Sequence, residues 1–393
     1  MMRNRLPSRV RTSRFLFFLC GILLFSAVGS AQAAETVRIG VSLGLTGKYA
    51  ALAAMQQRGY EFWQRDINSK GGLLGRPIQI VIVDDESKPE RAAKLYKQLI
   101  EEDRVDFVFG PYSSGITMAV APVVEKAGYP MLSSGAASDS IWQKGYKYIF
   151  GIYAPASRYT LAMLNLAVIH NLTTVAIVYA DDAFSISAAE GARKWGRRLG
   201  LKIIMFEKFK KGLRDLTYLA EKAKSSKSAL IIVAGHFDES VDMRRALKSV
   251  DWYPKAYFAT VGPVLPKYKE MLGADSALTF VNTLWDPRGT FPESQTFLAG
   301  FRAVHGVEPS YQAAIAYAAG QVLEAAANSA KSLDREKIRQ ALSKLEMYTI
   351  LGRFKVDQTG IQIKHFPLAL QWQKGKKEIV WPEEMQTAEP ILK

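Results

Sequence analysis

Apolar residues at Val37, Ile39, Val41 and Leu43 alternate with polar or small ones in "TVRIGVSL", the period of a β-strand. The period then lengthens: Leu52, Met55, Tyr60, Trp63 and Ile67 fall on one helical face, and Gly71-Gly72 ends the helix. Pro77–Val83 reads as a second strand, running into Asp84, Asp85 and Glu86, and Glu90–Glu102 as a helix with Leu95, Leu99 and Ile100 inward. Val105–Phe109 and Tyr129–Leu132 are short apolar runs of the kind buried on both faces of a parallel sheet, with the helical run Ile116–Val124 between them. This β-α-β-α-β-α-β order predicts a doubly wound α/β sheet.

A strand over Tyr148–Tyr153 meets Pro155, a helix follows over Ser157–His170, and the alternation starts again. Strands are expected at Thr174–Tyr179, Leu201–Phe206, Ala229–Ala234 and Ala256–Thr260. The helices between them are expected at Ile186–Leu199, Leu213–Ala223 and Val241–Val250. "ALTFVNTLWDP" is a strand leaving a sheet at Trp285, and helices over Pro292–His305, Ser310–Ala330 and Asp334–Leu345 follow. The tail returns to β patterning at Gly352–Val356, Pro367–Gln373 and Glu378–Trp381. Two successive α/β units without a low-complexity linker predict two similar lobes. Helices followed by returning strands mean that the chain crosses between them more than once, with crossings expected near Gly151, Trp285 and Thr349. The lobes are then residues 34–151 with 286–348, and 152–285 with 349–393.

Two strand ends stand out. "VDFVFGPYSSG" and "YPMLSSGAAS" both stop an apolar run in Gly, Ser and Ala. Small residues let the backbone approach a ligand, N–H groups at a helix start point outward as donors, and Ser hydroxyls add donors of adjustable direction. Each loop alone also reads as an ordinary helix cap. Together, on neighbouring strands, they predict an edge suited to a small carboxylate.

Composition narrows the setting. Arg3, Arg5, Arg9, Arg11 and Arg14 precede the short apolar stretch Phe15–Val28, and Ala31-Gln32-Ala33 completes a secretory signal peptide, residues 1–33, with cleavage expected before Ala34 and a periplasmic product. Cys20, the chain's single cysteine, leaves with it, so the mature chain of about 360 residues uses no disulfide. The formal net charge falls from +15 to +10 on cleavage. The remaining basic residues are scattered, and an exported chain without a basic stripe is not read as a nucleic-acid binder. We read the product as soluble and monomeric.

The signal peptide, "VRIGVSLGLTGKYA", "INSKGGLLGRPIQIVIVDDESKPERAAKLYKQLI", the two Ser-rich loops and "GADSALTFVNTLWDP", in this order, resemble the periplasmic solute-binding proteins of the leucine/isoleucine/valine type that serve ABC importers. The resemblance covers nearly all of the mature chain. It implies two Rossmann-like lobes, three hinge strands, one ligand in the cleft, and recognition of the closed form by an inner-membrane permease. It also implies that Ser113 or Ser114, with Gly135, Ala136, Ala137 and Ser138, holds the ligand's carboxylate. In the second lobe it points to His236 and Phe237, after the strand ending at Ala234, and to the loop at Thr260 and Val261.

That second loop departs from the family, which places there an acid to pair the ligand's ammonium. "FATVGPV" has none, nor has Ile152–Ser157. An unpartnered buried ammonium costs several kcal/mol, on the order of the penalties known for buried lone charges. The sequence therefore predicts a small carboxylate with an apolar or aromatic body, or an amino acid whose amine reaches Asp181, Asp182 or Asp238. Tyr112, Tyr153, Phe184 and Trp285, at strand ends or crossings, are candidates to stack on that body, and Tyr179 is a candidate contact. Each also reads as hinge or core packing. Asp84-Asp85-Glu86 reads as hydrated surface acids rather than a metal site, and no cofactor is expected. Catalysis has little support, because Gly-x-Ser-x-Gly spacing and a phosphate-binding fingerprint are missing and the four histidines fall in separate elements. The alternative to transport is a sensor of the same fold.

Overall fold

The computed structural model describes residues 35–393. The signal peptide, its cleavage before Ala34 and Cys20 lie outside the described residues. The first unit runs β1 (Val37–Leu43), α1 (Ala50–Ser69), β2 (Ile78–Asp84), α2 (Pro89–Glu101), β3 (Phe107–Phe109), α3 (Ser114–Ala127), β4 (Met131–Ser133) and β5 (Ile149–Gly151). Its five strands are all parallel, in the order β2-β1-β3-β4-β5. The alternating strand and helix periods produce this order directly: each helix buries one stripe against the sheet, as when Tyr60 of α1 stacks on Phe109 of β3 with ring centroids 4.7 Å apart.

The second unit runs α4 (Leu161–Ile169), β6 (Thr174–Ala180), α5 (Ala183–Arg198), β7 (Lys202–Phe209), α6 (Thr217–Ser226), β8 (Leu230–Ala234), α7 (Phe237–Ser249), β9 (Ala256–Ala259), α8 (Pro266–Leu272) and β10 (Thr279–Thr283). The chain then forms α9 (Ser294–His305), α10 (Tyr311–Ala330), α11 (Arg335–Lys344), the hairpin β11 (Glu346–Thr349) and β12 (Gly352–Lys355), and the hairpin β13 (Leu368–Gln373) and β14 (Lys376–Trp381). The second sheet has the order β14-β13-β10-β9-β8-β6-β7, with β13 and β14 antiparallel additions. Its parallel part, β7-β6-β8-β9-β10, repeats the order of the first sheet. In both, ligand-facing loops belong at the carboxyl ends of the strands, where the crevice of a doubly wound sheet opens.

Some element limits differ from the sequence pattern for local reasons. Helix α5 starts at Ala183 rather than Ile186 because the Asp182 carboxylate caps it, accepting from the N–H groups of Phe184 (3.1 Å) and Ser185 (3.2 Å). Helix α7 starts at Phe237 rather than Val241, its entry fixed by Glu239, which accepts from the His236 N–H at 3.0 Å. Helix α6 starts later than expected, at Thr217, whose N–H donates to Asp215 at 2.9 Å. Asp84 and Asp85 pin the turn after β2: Asp84 accepts from Thr46 Oγ1 (2.7 Å), and Asp85 from Ser42 Oγ (2.7 Å) and the Ser87 N–H (2.9 Å).

The segment Gly352–Val356 pairs with β11, not with the later sheet, and Gly151 donates to the Gly360 carbonyl at 2.8 Å, so this stretch runs beside β5. The chain enters the second sheet only at Leu368. Just before that point three segments meet at His365, which is 3 % exposed. Its Nδ1 accepts from the Ala154 N–H at 2.9 Å and its Nε2 donates to the Leu284 carbonyl at 3.0 Å. The two bonds fix a neutral ring with its proton on Nε2. Among the described residues no helix is long and apolar enough to cross a membrane.

Candidate ligand-binding site

The first-sheet wall of the site is made by the loops after β3 and β4, which the pairing of those strands sets side by side. Gly135 permits their contact: a Cβ there would lie 2.7 Å from Tyr112 Cα, and the Gly135 carbonyl accepts from the Ser113 N–H at 2.8 Å. From behind, α1 holds the second loop, with the Tyr60 hydroxyl bonded to Ser134 Oγ and Gln56 Nε2 3.3 Å from it. Ser113 caps α3, with Oγ accepting from the Ile116 N–H at 3.4 Å. It does so at φ 87°, a backbone region that residues with a side chain rarely occupy.

Ser114 Oγ accepts from the N–H groups of Ala137 (3.3 Å) and Ser138 (3.0 Å). The backbone donors that the sequence reading assigned to the ligand therefore bond Ser114 instead, and they polarise its hydroxyl, whose proton is left to donate. The first turn of α3 adds N–H groups that have no acceptor within the helix. Two hydroxyls and a helix start thus converge, which suits an anionic head group.

The opposite wall comes from the second sheet: Phe184 at the start of α5, His236 after β8 and Val261 after β9. Together the two walls line a narrow cleft that is nearly closed, with about 30 Å³ of cavity between them. Tyr112, Ser113, Ser114, Gly135 and Ala137 line it from the first unit, and Tyr153 from the chain just past β5. Val261 sits at the centre of a three-residue turn, φ 43° and ψ −59°, closed by the Gly262 N–H donating to the Thr260 carbonyl at 2.5 Å. This is a rare, strained turn for a β-branched residue. The aromatic groups form a chain: Phe184 lies edge-on to Tyr159 (5.3 Å) and tilted over His236 (5.1 Å). Burial pushes the hydroxyls of Tyr112, Tyr153 and Tyr159 well above the usual tyrosine range, so they stay protonated.

Six residues expected at the site do not line the cavity. Ala136 is buried in the loop's core-facing turn. Ser138 reaches across to the second unit, its Oγ donating to the Ala183 carbonyl (2.8 Å) and lying 2.9 Å from Ser187 Oγ. Tyr179 packs on Phe206, whose ring also carries Arg193. Phe237 begins α7 with Lys267 over its ring. Thr260 Oγ1 donates to the Gly235 carbonyl at 2.6 Å and ties β9 to β8. Trp285 donates to Ser294 Oγ at 2.9 Å and packs edge-on to Phe297. Conversely, Ser134, read from the sequence only as part of its small-residue loop, lines the cavity, as do Tyr159, Tyr311, Gln312 and Ile315, which were not singled out. The last three come from α10, whose alanine-rich pattern reads as plain core; the polar Gln312 at its start was the available signal.

Among the described residues that line the cavity there is no Asp and no Glu. The acids proposed to pair an amine are engaged elsewhere. Asp181 pairs with Lys208 at 3.4 Å and Asp238 with Arg214 at 3.2 Å. Asp182 caps α5 and pairs with Lys211 (3.0 Å) and His236 (3.4 Å). Burial pushes the Asp182 carboxyl up, but His236 and then Lys211 outweigh it and hold it well below the usual carboxylate range.

Two α/β units whose strand-end loops face each other over one cavity define a two-lobed solute receptor of the type I periplasmic binding protein class. Residues 36–377 match the family model described as "Periplasmic binding protein". A Leu/Ile/Val-binding protein homologue of Brucella suis is 25% identical over 374 residues, 90% of this chain and 94% of the relative. Among solved structures, a leucine binding protein from Thermotoga maritima aligns with TM-score 0.78 at 22% identity, over 87% of this chain and 97% of that one. A solute binding protein from R. palustris in complex with benzoate aligns with TM-score 0.74 at 19% identity, over 88% of this chain and 96% of that one. The chain belongs to the periplasmic binding protein family, whose members are non-enzymatic solute-binding components of ABC transporters.

Proposed function

We propose that this protein captures an aromatic or aliphatic carboxylate that lacks an α-ammonium group, and delivers it from the periplasm to an ABC permease in the inner membrane. The observation that carries the reading is the composition of the cavity: hydroxyls and a helix start for an anion, tyrosines and Phe184 for an apolar body, and no acid for an amine. The benzoate held by the R. palustris relative is a ligand of this chemistry. We take Ser113, Ser114, Gly135 and Ala137 as the carboxylate side and Tyr153, Phe184, His236 and Val261 as the side that folds over it. The lobes are residues 36–151 with 286–363, and 152–285 with 368–393, so the third crossing falls at 364–367, beside His365. Calorimetric titration with benzoate, phenylacetate, short fatty acids and leucine tests the reading. Binding of one or more of the acids, with leucine silent, is the expected result; tight leucine binding with no response to the acids contradicts it.

A further inference from the structure

Gln312 is out of place by the rules of its own helix. Residues Ala313 to Ala319 around it are alanine, isoleucine and tyrosine packed into the core, and Gln312 is just 2 % exposed. Among the described residues neither its Oε1 nor its Nε2 has a hydrogen-bond partner of good geometry, and the Tyr112 hydroxyl is close enough for a loose one only. A buried amide left poorly partnered is costly, and a residue chosen for packing alone would be apolar. Its position is also rigid. Helix α10 touches α1 backbone to backbone at this point, where a Cβ on Gly59 would come within 2.8 Å of Ala313 Cα. The amide lines the cavity together with Tyr311 and Ile315 from the same end of α10.

We infer that Gln312 is a specificity-determining residue that reads a hydroxyl group on the body of the ligand, so that the preferred solute is a hydroxylated aromatic carboxylate. The amide offers one acceptor and one donor group side by side, and a phenolic hydroxyl, itself both donor and acceptor, satisfies both. The neutral tyrosine hydroxyls beside it add no charge that would select a second carboxylate. A site built to bond a hydroxyl discriminates strongly against the analogue that lacks it, because the site's own polar group is then buried unpaired. This inference rests on the cavity being a receptor for a carboxylate without an ammonium.

The test compares benzoate with 2-, 3- and 4-hydroxybenzoate by calorimetry, in the full-length mature protein and in Gln312→Met. The unmodified protein binds at least one hydroxybenzoate ten times or more tighter than benzoate. Gln312→Met loses that preference, its hydroxybenzoate affinity falling tenfold or more relative to its benzoate affinity, and melts no lower than the parent, since a poorly partnered amide has been replaced by an apolar chain of similar length. A structural role for the amide would instead lower the melting temperature. Equal affinities for benzoate and all three hydroxybenzoates, or a preference that survives in Gln312→Met, overturns the inference alone. Binding of leucine with none of the four acids overturns the ligand class itself, and this inference with it.

Discussion

Two residues in strained backbone conformations, Ser113 and Val261, face the same cavity from opposite units. Such conformations cost on the order of 1–3 kcal/mol each and persist where the surroundings hold a functional geometry. Replacing Val261 by Gly relieves the strain and removes the side chain from the wall; the denaturation midpoint is expected to rise or hold while ligand binding weakens, and a drop in both would show that the turn is not strained. Ser114→Ala removes a hydroxyl polarised by two N–H groups and is expected to weaken carboxylate binding by about 1–2 kcal/mol, read by calorimetry. The Ser-rich loops were legible because small residues and hydroxyls cluster within a few positions of a strand end. Ser138 belongs to the same cluster, but its hydroxyl bonds α5 across the cleft, a contact 45 residues distant in sequence that no local pattern encodes. Gln312, Tyr311 and Tyr159 escaped for the same reason: the fold brings them to the loops, while each sits in a segment whose own pattern says only helix.

At the scale of elements, the strand and helix rhythm was readable because both periods are strong, and the errors fell at helix starts, where Asp182, Asp215 and Glu239 set the first residue through side-chain bonds. The meeting of three chain segments at His365 was not readable, since its partners Ala154 and Leu284 lie far apart in the chain. Burial lowers the pKa of His365 to about 4, the bond to Leu284 opposing the shift only in part. The unfolded chain takes up a proton near pH 6.5 and the folded chain does so only near 4. Stability is therefore whole above about pH 6.5 and declines as the pH falls towards 4, by roughly 3 kcal/mol in all. Asp182, held below the usual range, loses its contribution at still lower pH, and Asp139, pushed up by burial, works against the decline. Denaturant midpoints measured between pH 7.5 and 4.5 are expected to fall steeply in the parent and less steeply in His365→Gln. Equal slopes would remove His365 from the account.

At the scale of the molecule, two units of the same strand order face one another, and under the proposed function the affinity for ligand is tied to how readily they close. Ser138→Ala deletes a bond between the units without touching the cavity, so it is expected to speed ligand release several-fold with little change in association rate; an unchanged release rate would place that bond outside the closing motion. The repeated unit was legible from the restart of the β-α alternation after Pro155. The path of the tail was not, because a strand such as Gly352–Lys355 carries the same alternation whichever sheet or hairpin it joins. The central claim is that the cavity takes a carboxylate and has no partner for an ammonium. It is tested most directly by titrating the protein with 3-phenylpropanoate and with L-phenylalanine, which share a skeleton and differ in the amine. The account predicts measurable binding of 3-phenylpropanoate and binding of phenylalanine weaker by a hundredfold or more; phenylalanine binding as tightly or tighter would contradict it.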